Sequence, residues 1–154
     1  MAVAKNLEKY LKQSKTKYKI LEHRKVFTAF DATQTQHLKL IEVAKGVLLK
    51  GKKLFYLAIL PAGTNCDFKA LSKLASDKLS MAKEKDIAAK LKTKVGLIAP
   101  FGTLYQIPSF IDKKLLKNKK IILPAGSYTE SVELSLKDYL KLENPTAGNF
   151  SIKK

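Results

Sequence analysis

Cysteine is nearly absent. Cys66 is the only one, so no internal disulfide staples the fold. With two histidines, His23 and His37, the chain lacks the full Cys/His set of a structural zinc site, and no metal is expected. Glycine and proline are scarce, seven and five among 154 residues, which excludes a collagen-like or Gly/Pro-rich disordered chain. Long apolar runs are missing too. The longest, Leu54 to Ala62, is nine residues and contains Pro61, whereas a membrane-spanning helix takes about 20. The opening Met-Ala-Val-Ala-Lys-Asn-Leu-Glu lacks the apolar core of a secretory signal, so a cytoplasmic location and no membrane partner are expected. No Gly-rich loop precedes a Lys-Ser/Thr pair, and there is no dinucleotide fingerprint or nucleophile elbow. ATPase, kinase and nicotinamide chemistry are therefore unsupported, and no cofactor is expected.

Acidic residues are also few. Thirteen Asp and Glu face thirty Lys and Arg, for a net charge of +17. Arg24 is the only arginine, so the other 29 basic residues are lysines. A surplus of this size draws in polyanions, of which nucleic acid is the commonest and an acidic membrane surface the alternative. Lysine meets phosphate as a mobile point charge without arginine's bidentate fork, which suits backbone attraction better than base reading. A lysine-rich proteome would explain lysine over arginine, but not the excess over acids.

The chain shows no internal repeat and no low-complexity linker, so one domain over 1–154 is the simplest account. Val3, Leu7, Tyr10 and Leu11 at helical spacing predict a helix over 2–13, within an N-terminal segment 1–17. Residues 18–22 read as a short strand, and 31–40 as a polar stretch with room for a short helix. Strands over 41–49 and 54–60, joined by Lys50-Gly51-Lys52-Lys53, make the clearest hairpin. Asp67 and Ser80 are candidate caps for two helices, the second ending near Leu91. Strands follow at 107–111, 119–123 and 132–134. Ser135 with Asp138 opens a last helix, and 143–154 reads as a tail. This order is neither strict strand–helix alternation nor a meander. It predicts a mixed α/β fold, a curved mixed sheet surrounded by helices.

Lys45 is the most informative residue. Strand alternation puts Val43, Lys45, Val47 and Leu49 on one face and Ala44, Gly46, Leu48 and Lys50 on the other. Both faces are mostly apolar, as in a strand covered on both sides. An ammonium there lines a cavity or meets an anion, because burying it alone is costly. The bland alternative is a lysine that snorkels past the strand end. The second candidate is the loop Gly96-Leu97-Ile98-Ala99-Pro100-Phe101-Gly102, whose glycines permit unusual backbone and whose N–H groups are available to an anion or a carbonyl oxygen. A plain turn between a helix and a strand is its bland reading. His23 and His37 are candidate general bases by residue type, but neither has a motif around it, and a structural or surface role is the bland reading. Cys66 lies at a helix start, a position that lowers a thiol's pKa, but nothing nearby completes a Cys/His pair.

The order and surroundings of these segments resemble the YbaK-type family of prolyl-tRNA synthetase-associated editing domains and free-standing aminoacyl-tRNA deacylases. The resemblance runs through Thr28-Ala29, Val43-Ala44-Lys45, Leu57 to Ala62, Asp67 to Leu74, Gly96 to Gly102, Ile107 to Asp112 and Ala125-Gly126-Ser127, over about 18–142. It implies a barrel-like mixed sheet. It also implies metal-independent hydrolysis of the ester between a wrong amino acid and the tRNA 3′ end. Lys45 and Gly96 then match the family's central lysine and loop glycine. Phe27, Thr28, Gly46, Ile98, Ala99, Pro100, Phe101 and Gly126 are the expected substrate-binding positions. The expected partner is the acceptor end of aminoacyl-tRNA, with an aminoacyl-tRNA synthetase as a second. Two departures stand out: Gly46 follows the lysine where the family usually has Thr, and Pro124 precedes Ala-Gly where a serine is common. The competing readings are a catalytically inactive nucleic-acid-binding module of this fold and a domain that docks onto a synthetase.

Overall fold

The two apolar runs either side of Lys50-Gly51-Lys52-Lys53 pair as antiparallel strands, β2 (Ala44–Lys50) and β3 (Phe55–Pro61), at the centre of the protein. The computed structural model of the chain describes residues 5–13, 18–22, 43–91, 98, 100–124 and 130–153. Ahead of the hairpin lie α1 (Lys5–Gln13) and β1 (Lys19–Glu22). After it come β4 (Thr64–Cys66), α2 (Phe68–Ala75), β5 (Ser80–Met81), α3 (Glu84–Leu91) and the short α4 (Gly102–Tyr105). The chain continues through β6 (Ser109–Asp112), a 3-10 turn (Lys113–Lys117), β7 (Lys120–Pro124) and β8 (Glu130–Ser135). It closes with α5 (Leu136–Glu143), β9 (Thr146–Gly148) and β10 (Ser151–Lys153).

The central sheet has the order β5-β2-β3-β6-β9, with β3–β6 and β6–β9 parallel and the other pairs antiparallel. A second sheet, β1-β8-β7, is antiparallel, and the bridge between Val43 and Ile122 joins it to the start of β2. The fold is thus the expected mixed α/β; among the described residues the sheets do not close into a barrel, so barrel-like fits only loosely.

Period-two burial explains why β2 and β3 hold the middle. Ala44, Leu48, Leu57 and Ile59 enter one apolar cluster with Leu11, Phe101, Ile111 and Tyr139. Leu49, Tyr56, Ala58 and Leu60 enter another with Leu71, Phe110 and Phe150. Each fully buried Leu or Ile contributes roughly 1.5–3 kcal/mol, so a strand apolar on both faces is stable only when covered on both. The helix caps follow local chemistry. The Asp67 carboxylate accepts from the N–H groups of Lys69 and Ala70, and the Ser135 hydroxyl accepts from Asp138.

Two segments differ from expectation. Ser80 does not cap a helix. It pairs with Lys50 as part of β5, the Ala82 N–H donates to the Leu48 carbonyl, and α3 begins only at Glu84. Ladder bonds to an open sheet edge outcompeted a local cap there. The segment after 143 is no loose tail, because β9 extends the central sheet and β10 pairs with β4. Asp112 makes this possible. It is 1% exposed; its Oδ2 accepts from the N–H groups of Phe150 and Ser151, and its Oδ1 from that of Lys114. The expected helix within 31–40 lies outside the described residues.

Asp112→Ala should leave those three donors without their acceptor and cost about 3 kcal/mol. A urea unfolding midpoint unchanged from the parent protein would show that the carboxylate does not hold the C-terminal strands.

Candidate active site

Lys45 is the second residue of β2, half-buried and paired with Leu60 across the hairpin. Leu60 belongs to the cluster covered by α2 and Phe150, so the lysine stands on that face. Its charge reaches Cys66 of β4, where it favours the thiolate, while Asp112 opposes it. Burial, with Asp112 adding to it, outweighs Lys45 and pushes the Cys66 thiol up to about 11. The expected activation of Cys66 by a helix start is therefore reversed. The residue at the helix start is Asp67, and Cys66 is a strand residue with a neutral thiol.

One residue on, Gly46 turns to the opposite face and pairs with Ile59. A Cβ built there would lie 3.3 Å from Ile98 Cγ2, Leu57 Cδ1 and Pro100 Cβ. Two motifs far apart in the chain, the lysine strand and the end of the glycine–proline loop, therefore meet at Gly46. The absence of a side chain lets Ile98 and Pro100 approach the strand this closely. Gly102 serves the same loop in the same way, because a Cβ on it would come within 2.8 Å of the Ile107 carbonyl oxygen. The structure thus brings Gly46, Ile98 and Pro100 together, and sends the Lys45 side chain to the other side of the strand.

Phe101 is fully buried. Its ring meets Tyr10 and Tyr139 edge-on, at centroid distances of 6.2 and 5.6 Å. It anchors the loop in the core. Around it lies a polar network absent from the sequence-based expectations. The Tyr139 hydroxyl donates to the Pro100 carbonyl at 2.5 Å. The Glu143 carboxylate accepts from the Thr103 N–H at 3.0 Å and from the Tyr10 hydroxyl. Burial raises the Glu143 pKa above the usual carboxylate range, and the hydrogen bonds from Tyr10 and Thr103 pull it part of the way back. The segment Pro100–Thr103 is thus tied to α5 at both its ends and to α1 through Tyr10. One sequence signal pointed here: Leu136, Tyr139, Leu140 and Glu143 lie at helical spacing, an acid within an apolar stripe.

Phe27, Thr28, Gly96, Ala99 and Gly126 lie outside the described residues, as do His23 and His37. Among the described residues no three His, Cys, Asp or Glu side chains stand together in a way that would hold a metal ion. No described helix is long and apolar enough to cross a membrane. Chemically, the arrangement offers a cation on one side of the start of β2 and, on the other, a loop end held by hydrogen bonds at Pro100 and Thr103.

Comparison with known proteins gives a consistent picture. The family model for the aminoacyl-tRNA editing domain matches residues 23–142. The chain is 26% identical over 147 residues to the prolyl-tRNA editing protein ProX of Acetoanaerobium sticklandii, covering 91% of this chain and 90% of that one. Among solved structures, a scaffold protein used in computational epitope grafting superposes with a TM-score of 0.88 at 19% identity, covering 100% and 99% of the two chains. A candidate trans-editing enzyme for prolyl tRNA synthetase superposes with a TM-score of 0.86 at 18% identity, covering 100% and 98%. At such identities the two structures speak to the fold alone.

Two variants test this geometry. Gly46→Thr should cost about 1–3 kcal/mol by overpacking against Ile98 and Pro100; an unchanged denaturation midpoint would mean the contact is loose. Glu143→Gln should flatten the pH dependence of stability. A carboxyl whose pKa rises on folding favours the folded state at acid pH, and that contribution is lost as pH climbs from 4.5 through the raised value. The glutamine cannot titrate, so unfolding curves of the two proteins across that window should diverge as pH rises, the variant losing less stability.

Proposed function

The chain belongs to the aminoacyl-tRNA editing domain family, and on that premise we propose that it hydrolyses the ester of mischarged aminoacyl-tRNA in trans, with tRNA-Pro as its tRNA. The tRNA is inferred from the likeness to the prolyl-tRNA editing protein ProX over most of both chains. The observation that carries the site assignment is the contact of Gly46, next to Lys45, with Ile98 and Pro100. The family's lysine strand and its Gly-x-x-x-Pro loop are neighbours in this molecule.

In this reading Lys45 holds the negatively charged part of the substrate, the terminal adenosine phosphate, and so orients the ester. Backbone N–H groups of the stretch from Gly96 to Ala99 take the carbonyl oxygen and stabilise the negative charge that develops on it. Water adds to the carbonyl carbon. The bond from that carbon to the ribose oxygen then breaks, the ribose oxygen takes up a proton, and free amino acid and uncharged tRNA leave. The substrate's own hydroxyl or amine activates the water. Phe27, Thr28 and Gly126 set the size of the amino-acid pocket, and Gly46, Ile98 and Pro100, packed against one another, hold the loop that borders it, with buried Phe101 as the support behind Pro100. One methylene in such a pocket is worth only about 1–3 kcal/mol, so its shape decides which amino acid is removed.

A second reading, a tRNA-binding module without hydrolysis, takes its support from Gly46 standing where the family usually has Thr. A panel of tRNA-Pro charged with alanine, cysteine or proline separates the two. The expected result is hydrolysis of one ester, with Lys45→Ala lowering kcat/KM about 100-fold or more. Equal rates for the parent protein and Lys45→Ala would remove the lysine from the mechanism. Salt-sensitive tRNA binding with no ester cleaved would select the binding module.

A further inference from the structure

A groove of about 750 Å³ runs along α2, lined by Asp67, Phe68, Lys69, Lys73, Lys78 and Leu79 among others. Its floor is apolar: Leu79 is buried and Phe68 half-buried. Its rim is cationic, with Lys69, Lys73 and Lys78 all exposed. Lys69 and Lys73 stand four apart on one helix face, where like charges repel. Lys78 is brought beside them by the left-handed turn at Ser76 and by the Ser72 hydroxyl, which accepts from the Leu79 N–H at 3.0 Å. Among the described residues none of the three pairs with a carboxylate.

The two nearest acids are turned to other tasks. Asp67 accepts from the first N–H groups of α2, and Asp77 accepts from the Lys52 N–H and the Tyr56 hydroxyl. Both keep their charge, but neither forms an ion pair with the three lysines, whose ammonium groups stay available to an incoming anion. Leu71 fixes α2 over the face of the central sheet that also carries Lys45.

We propose that this groove is a docking track for the phosphodiester backbone of the tRNA, with Lys69, Lys73 and Lys78 meeting phosphates and the Phe68–Leu79 floor accepting the flat face of a sugar or base. Phosphate contacts of this kind position a nucleic acid without reading its sequence. Aromatic floors suit unpaired nucleotides. The assignment rests on the editing reading for the identity of the nucleic acid, but not on any ester being cleaved. It predicts that charge at the groove matters more than the same charge elsewhere on a protein of net charge +17.

The test compares two triple variants of equal charge change, K69E/K73E/K78E in the groove and K113E/K114E/K117E on the exposed side of the 3-10 turn. Binding of uncharged tRNA is followed by fluorescence anisotropy over a range of salt, after circular dichroism has shown both variants folded. Uncharged tRNA carries no ester, so a failure of the hydrolytic reading would leave this measurement intact. The groove variant should bind about tenfold or more weakly than the control variant, and its log–log salt slope should be shallower by about two. Equal weakening in both variants would assign tRNA binding to the diffuse surface field and overturn the proposal, as would an unaffected groove variant. Vesicles containing phosphatidylserine form the third arm. Loss of vesicle binding with tRNA binding retained would mean that the groove serves an anionic membrane, and would also overturn it.

Discussion

The register between β2 and β3 is the constraint on which the rest depends. With Lys45 opposite Leu60 and Gly46 opposite Ile59, neighbouring residues are committed to opposite faces of a sheet covered on both sides. A slip of one residue would drive Lys45 into the cluster around Ile59 and Phe101, and Gly46 away from Ile98 and Pro100. Apolar burial along β3, where every residue from Tyr56 to Pro61 is buried, makes that slip costly. The division of labour in the candidate site, cation on one side and loop on the other, is thus a consequence of core packing.

The loop side depends on a second device. Pro100–Thr103 runs from irregular backbone into the first turn of α4, where carbonyl and N–H groups need partners from outside the helix. Here they come from distant helices: the Tyr139 hydroxyl for the Pro100 carbonyl and the Glu143 carboxylate for the Thr103 N–H. Tyr10 closes the network from α1. A buried acid held by a hydroxyl and an N–H ties three elements in a single geometry, which a purely apolar contact would leave free to slide.

Lysine has two roles set by its surroundings. Lys45 is half-buried at a strand start, where its charge acts on Cys66. Lys69, Lys73 and Lys78 are exposed around a groove, where their charge acts outward. The net charge pointed to a polyanion, and the arrangement of the acids decides where on the surface that attraction is left uncompensated.

Much of the fold was legible in the chain. The β2–β3 hairpin, the Asp67 and Ser135 caps and the two-sided burial around Lys45 follow from alternation and local hydrogen bonding, which act over a few residues. The family resemblance singled out the lysine strand and the glycine–proline loop, but the contact of Gly46 with Ile98 and Pro100 was not legible in the chain. Long-range partners decided the rest. Ser80 joined a sheet edge, β9 and β10 were secured by Asp112, and Glu143 reached Tyr10 across the molecule. Sequence alone determined the strand alternation, the caps and the attraction to polyanions, because these depend on neighbours in the chain and on total charge. Tertiary structure alone decided which buried polar group meets which, because a hydrogen bond between distant segments has no local signature until the core has brought them together.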